Sequence, residues 1–490
     1  MRTVAAVWLC FIARALFYCS VVPMWEGFDE YAHFAMIQRI ALHPGLPDFR
    51  TAAISRQVAA SLELAPVPWI VRDPSKGWLS HDQFWQLPPD ERTHRSVALR
   101  ALPAAWAAEN SAPPLQLWEA QQPPLYYWIV APIYRMIRGL ELPTQVWILR
   151  CLTALMVSIV IPCAFFAARR VFADERIANG VAILVASMPE LYISACRVSN
   201  EGLAITLGAV VVWLGVSRRA APLGLALGAA LLTKAYFLAV VPWAAFMMFK
   251  SRGSRWLLLC LAIGGWWYAR TWLLTGTITG EQSDVAAHAI SGMSIFSAMV
   301  HVPWRRALDF VATSYIWLGG WSFLGVRSWM IRAMEILLAV AAVRALRRRE
   351  LIPLIALVAS MLAALAYHAI SGFRSTGDAG TMGYYLYCLA AAEAILIVAG
   401  VGRWMAFAFL AIDGFGMWIY MLPYYAGLIF HDAAGNLPAG HVSQIGRAMF
   451  DRLAVNKPAF MNPGMLAIIY VCATATLAIM LLKRRPAPTA

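Results

Sequence analysis

The sequence predicts an all-α polytopic membrane protein of about twelve transmembrane helices with a large first outer loop. Three observations carry that expectation. Hydrophobic residues make up 61% of the 490-residue chain and charged residues only 13%. Apolar stretches long enough to cross a bilayer recur along the chain. Basic residues collect in short segments between those stretches, at Arg169 and Arg170, Arg218 and Arg219, Arg347 to Arg349, and Lys483 to Arg485. That is the positive-inside signature of cytoplasmic loops, so the formal net charge of +14 sets orientation and gives no reason to expect nucleic acid as a partner.

Taken in order, the expected spans cover residues 4–22, 146–168, 177–195, 203–216, 223–232, 235–249, 256–274, 329–343, 351–370, 384–400, 404–424 and 465–482. The chain opens "MRTVAAVWLCFIARALFYCSVV", with Arg14 inside the apolar run and no A-x-A site, which reads as an uncleaved first helix. The stretch 223–249 is too long for one ordinary span, yet both flanks are basic, so it must pass an even number of times. Two short helices meeting near Thr233 and Lys234 satisfy both demands. Starting inside, this count returns "SRR", "KSRGSR", "RALRRRE" and the terminal "KRR" to the cytoplasm.

The loops on the other side are long. Within one transmembrane domain, 1–490, they cover 25–145, 275–328 and 425–462, and all but one of the histidines lie in or beside them, His368 being the other. Any water-facing chemistry is therefore expected on the periplasmic or outer face of a bacterial cytoplasmic (inner) membrane. The first loop carries Trp69, Trp78, Trp85, Trp106 and Trp118, and its end, "SAPPLQLWEAQQPPLYYWIVAPIYRMI", suits amphipathic helices in the membrane interface. All eight cysteines lie in apolar spans, which gives no disulfide framework and no cysteine-based zinc site. No internal repeat is apparent, and only the final "RPAPTA" reads as an unstructured tail.

The end of the first span reads "WEGFDEYAHF", residues 25–34, with Asp29 and Glu30 adjacent and His33 one helical turn beyond Asp29. A carboxylate at the membrane surface suits a general base, and it equally suits a helix cap. Asp29 and His33 share a helix face, so with Glu30 they form the one candidate set for a divalent metal ion; the cofactor is otherwise unknown. Lys234 falls between two short apolar segments, where an ammonium is costly unless it faces a polar cavity or snorkels. Arg270, within "WWYAR", suits either an interfacial anchor or a phosphate contact. Arg14, Glu335, Glu393 and Asp413 are further intramembrane charges, and Arg14 can pair with an acid inside the bundle.

Five stretches in order resemble the C-type membrane glycosyltransferases of the protein-mannosyltransferase and aminoarabinose-transferase kind. They are "PMWEGFDEYAHF", "EAQQPPLYYW", "RVSNEG", "LLTKAYFLAVVP" and "GGWWYARTWLLTGTITG". The resemblance implies transfer of a sugar from a polyprenyl-phosphate carrier to an acceptor on the outer face. It implies Asp29 and Glu30 as catalytic residues, Glu119, Asn200 and Glu201 as acceptor or secondary acidic contacts, and Lys234 and Arg270 as donor-phosphate contacts. His33, Gln122, Tyr126, Tyr384 and Tyr385 would bind substrate. The chain departs from the pattern twice. Gln122 stands where the family usually has histidine, and "TMGYYLY" stands where relatives read G-R-Y-L-x-P, so another basic residue such as Arg374 must supply that charge. The expected partners are the polyprenyl-phosphate sugar donor, membrane lipids and an acceptor that is protein, lipid or glycan. A transporter or flippase of lipid-linked saccharides would share the hydropathy, but the long tryptophan-rich loop and the lack of a repeat favour an enzyme.

Overall fold

The first apolar run forms a helix, Arg2–Val21, that ends where Pro23 can no longer continue it. The computed structural model describes residues 1–290 and 292–483, so Arg484, Arg485 and the tail 485–490 lie outside the described residues. Every expected span coincides with helix, and no strand occurs among the described residues. By length and composition, seven helices can cross a membrane, or eight if the bent pair Glu175–Val185 and Pro189–Ala195 is one span. Asn200–Val216, Ala220–Leu231 and Ala235–Lys250 are shorter apolar helices, and Ser328–Leu346 carries Arg332, Glu335 and Arg344.

The bent pair shows how the bundle keeps an interrupted helix in an apolar setting. Its halves meet at 62°, just before Pro189, which frees the Ala186 carbonyl. Arg14 answers that carbonyl from the first helix at 2.5 Å and pairs with Asp413 at 2.5 Å, all within the core. The hydroxyls of Tyr18 and Tyr470 also donate to Asp413. The pairing expected for Arg14 is thus present, and each charged group has polar partners, as burial requires.

The second interruption falls where two short helices were expected to meet. Ala220–Leu231 stops, Lys234 takes an extended conformation (φ −151°, ψ 140°), and the chain turns into helix again at Ala235. The carbonyls released there are taken by three other elements. Leu125 N–H donates to Leu232 O at 3.0 Å, Asn200 Nδ2 to Thr233 O at 3.2 Å, and Tyr268 O–H to Leu231 O at 2.8 Å. Irregular backbone survives in an apolar bundle only with such satisfaction, and here it delivers Lys234 to a cavity.

The first loop folds over the bundle as short helices, among them Glu30–Leu42, Arg56–Leu64, His81–Gln86, Pro89–Arg100 and Leu125–Ile137. Its core is apolar. Trp25, Phe34, Tyr126, Tyr127 and Tyr134 are fully buried, and the Trp25 indole N–H donates to Ser61 Oγ at 3.0 Å. Acid–histidine pairs tie the loop to distant segments. Glu26 meets His81 at 3.2 Å and accepts from Ser322 N–H at 2.7 Å. Asp82 meets His431 at 3.0 Å and accepts from Tyr424 O–H at 2.8 Å.

Candidate active site

The turn before Glu30–Leu42 sets the geometry of the site. Asp29 stands at the start of this helix with left-handed backbone (φ 52°), a conformation aspartate tolerates better than most residues, and its side chain makes no capping hydrogen bond. Its neighbour Glu30 is fully engaged in the surrounding structure. Glu30 accepts from Trp25 N–H at 3.1 Å, Val198 N–H at 2.9 Å and Arg150 at 2.7 and 2.5 Å, and it is fully buried. Glu30 is the first helical residue while Asp29 sits outside the helix in left-handed backbone, so one carboxylate enters the core while the other lines open space.

That space is a polar cavity of about 340 Å³. Asp29, His33, Glu119, Gln122, Glu201, Lys234, Tyr384 and Tyr385 line it, as does Arg197. It adjoins a second cavity of about 190 Å³ that shares Lys234, Glu281, His368 and Tyr385 and whose further lining includes Ala235, Leu238, Ala239, Ala364 and Leu365. One chamber is therefore rich in charge, and the other is mixed, with these aliphatic side chains beside tyrosines and the acids Glu281 and Asp284.

Two cations serve the polar chamber. Lys234 is buried and lies 3.7 Å from Glu201, whose other carboxyl oxygen accepts from Tyr236 O–H at 2.7 Å. Arg197 is held between rings, 4.7 Å from the centre of Tyr384 and 5.4 Å from that of Phe28. Its Nε is buried and has no hydrogen-bond partner among the described residues. Gly27 permits this seat, because a Cβ there would lie 2.5 Å from Arg197 Cβ.

A hydrogen-bonded chain runs along another wall. His33 Nδ1 lies 3.2 Å from Glu119 Oε2 and 2.8 Å from Tyr127 Oη, while Nε2 lies 3.1 Å from Ser199 Oγ. Burial pushes the His33 imidazolium well below its usual range, with Lys234 and Arg197 adding repulsion, so the ring is neutral. Burial raises the Glu119 carboxyl to about 8; Lys234 opposes this, and Asp29 and Glu281 reinforce it. Asp29 is also raised by burial, against the pull of Lys234 and Arg197.

Of the residues expected from sequence, the cavity gathers Asp29, His33, Glu119, Gln122, Glu201, Lys234, Tyr384 and Tyr385. Asn200 stands just behind, donating to Gln122 Oε1 at 3.4 Å. Four expectations need correction. Glu30 is withdrawn into its pair with Arg150. Tyr126 is fully buried, with its hydroxyl 3.2 Å from Thr153 Oγ1, and does not line the cavity. Arg270 lies outside it, 5.0 Å from the Trp267 ring, which suits an interfacial anchor. Arg374 donates to Met293 O at 2.9 Å and lines neither chamber, so the cationic charge beside "TMGYYLY" comes from Arg197.

The proposed metal set does not assemble. Glu30 is engaged by Arg150 and both His33 nitrogens have partners. No group of three or more His, Cys, Asp or Glu side chains among the described residues is arranged to hold an ion. Sequence reasoning missed Arg197, Ser199 and Glu281. The first two stood inside "RVSNEG", where an arginine beside a helix-capping serine was the available signal.

No family model matches the chain, and no curated protein matches it. Its structure is similar to the crystal structure of ArnT from Cupriavidus metallidurans bound to undecaprenyl phosphate, with a TM-score of 0.41 and 15% sequence identity. The match covers 74% of this chain and 62% of that one, so the chain spans less than two thirds of the protein it is compared with.

Proposed function

We propose that this protein is a membrane glycosyltransferase that moves a sugar from a polyprenyl-phosphate donor to a hydroxyl acceptor on the outer face of a bacterial cytoplasmic membrane. The observation that carries the reading is the shared wall of the two chambers. Lys234 and Tyr385 border both, with Asp29 and Arg197 on the polar side and Leu238, Ala239 and Leu365 on the aliphatic side. A lipid phosphate fits that boundary, with its isoprenoid chain along the aliphatic wall and its sugar toward Asp29.

The chemistry follows from the groups present. The acceptor oxygen bonds to the anomeric carbon as the carbon–oxygen bond to phosphate breaks, and the phosphate leaves with the electron pair. Lys234 and Arg197 stabilise the charge that gathers on it, which counts for more in a water-poor site. Asp29 takes the acceptor's proton. Gln122, Tyr384 and Tyr385 supply hydrogen bonds or ring surface to the sugar. Glu30 holds the turn that presents Asp29.

The test is transfer of radiolabelled sugar from polyprenyl-phosphate donors by purified protein in proteoliposomes. Product formation that depends on Asp29 is the expected result. Movement of an intact donor across the bilayer without transfer would establish the flippase reading instead.

A further inference from the structure

A second part of the polar cavity's wall has a geometry that sugar transfer does not require. Ser199 Oγ, His33 Nε2, His33 Nδ1 and Glu119 Oε2 follow one another at 3.1 Å and 3.2 Å, and all three side chains line the polar cavity. This is the order of a serine–histidine–acid triad, with the hydroxyl on Nε2 and, on the Nδ1 side, the acid reached through the Tyr127 hydroxyl. We propose that Ser199 is an activated nucleophile that attacks acyl esters, with His33 as its base and Glu119 orienting the ring.

The proton assignments are consistent. Tyr127 O–H donates to Glu119 Oε2 at 3.2 Å, and its oxygen accepts His33 Nδ1–H at 2.8 Å, which leaves Nε2 as an acceptor. Ser199 Oγ already accepts Glu201 N–H at 3.2 Å, so its own proton is free to go to Nε2. Ser199 also caps the seventeen-residue helix Asn200–Val216, placing the nucleophile at the positive end of a helix dipole. Arg197 and Lys234 line the same cavity and favour an oxyanion there. Leu238, Ala239, Ala364 and Leu365 in the adjoining chamber suit an acyl chain, which makes a lipid ester the class of substrate.

The step balances without a cofactor. Ser199 Oγ bonds to the ester carbonyl carbon, the carbon–alkoxy bond breaks, and His33 passes the serine proton to the departing alkoxide. Water then attacks the acyl-serine by the same route and releases the carboxylic acid.

The probe is a fluorophosphonate, which forms a stable phosphonyl-serine with loss of fluoride, applied to full-length protein in detergent and read by peptide mass spectrometry. Labelling at Ser199 is expected, and Ser199→Ala should abolish it. Ser199→Asn keeps a good helix cap but has no nucleophile, so it should be unlabelled with an unchanged melting temperature. Glu119→Gln should slow labelling about 100-fold, because an orienting acid acts through its charge. The rate should rise with pH through about 8, where Glu119 ionises among Lys234, Asp29, Glu281, Tyr127 and His33. An unlabelled native protein, or equal labelling of the Ser199 variants, would overturn the proposal. Sugar transfer by an unlabelled protein would leave the transferase reading intact, and labelling without sugar transfer would do the reverse.

Discussion

Glu30 and Arg150 form a doubly hydrogen-bonded ion pair, Nε to Oε1 at 2.7 Å and Nη2 to Oε2 at 2.5 Å, with both side chains buried. Arg150 also donates to Val22 O and Pro23 O, each at 2.6 Å, so the pair locks the end of the first helix to the turn that carries Asp29. Removing one charge strands the other. Glu30→Gln should therefore cost about 3–5 kcal/mol of stability, the usual penalty for breaking a buried pair. A melting curve in detergent measures it. An unchanged midpoint would mean that the pair does not organise the turn.

Asp29 gives the contrasting case. Its side chain makes no capping hydrogen bond, so Asp29→Asn should leave the melting temperature near that of the parent. Loss of the base should lower sugar transfer by about 100-fold or more. Normal turnover by well-folded Asp29→Asn protein would remove Asp29 from the mechanism.

The cations make a graded prediction. A charge-assisted contact to an anion is worth roughly 1.5–3 kcal/mol, so Lys234→Ala and Arg197→Ala should each weaken binding of a polyprenyl phosphate by about 10- to 100-fold. Arg270→Ala should change it little, since Arg270 lies against Trp267 and away from the cavity. Gly27→Ala should act like a mild Arg197 variant, because the new methyl group would occupy the space of Arg197 Cβ. Equilibrium binding of the lipid, measured for all four proteins, tests the order.

The apolar helices and the break at Lys234 were legible because a bilayer imposes strong demands on a linear sequence. Long apolar runs are local features, and a run too long for one ordinary helix pointed to the interruption that the structure has at Lys234. The site was legible only where a motif kept its residues close together, as in Asp29 and His33. Glu30 misled because two adjacent carboxylates look alike in sequence, while the left-handed turn at Asp29 sends them to different environments. Arg197 escaped because its value comes from Tyr384 and Phe28, residues far away in the chain that close around it. The Ser199, His33 and Glu119 chain joins three segments, and no local spacing announces it.

The last prediction concerns pH. Burial raises the Asp29 carboxyl above its ordinary value, while Lys234 and Arg197 hold it down. A base works only when deprotonated, so transfer should fall as pH drops through that raised value. Donor binding should move the limb again. A phosphate seated on Lys234 and Arg197 neutralises the charges that favour the Asp29 carboxylate and adds negative charge nearby, and both effects raise the pKa further. The acid limb of kcat reports the bound complex and that of kcat/KM the free enzyme, so the kcat limb should lie at higher pH. Lys234→Ala should raise the limb of kcat/KM toward that of kcat, because the free enzyme then lacks one stabilising charge. Coincident limbs in the parent protein would show that the phosphate does not sit beside Asp29.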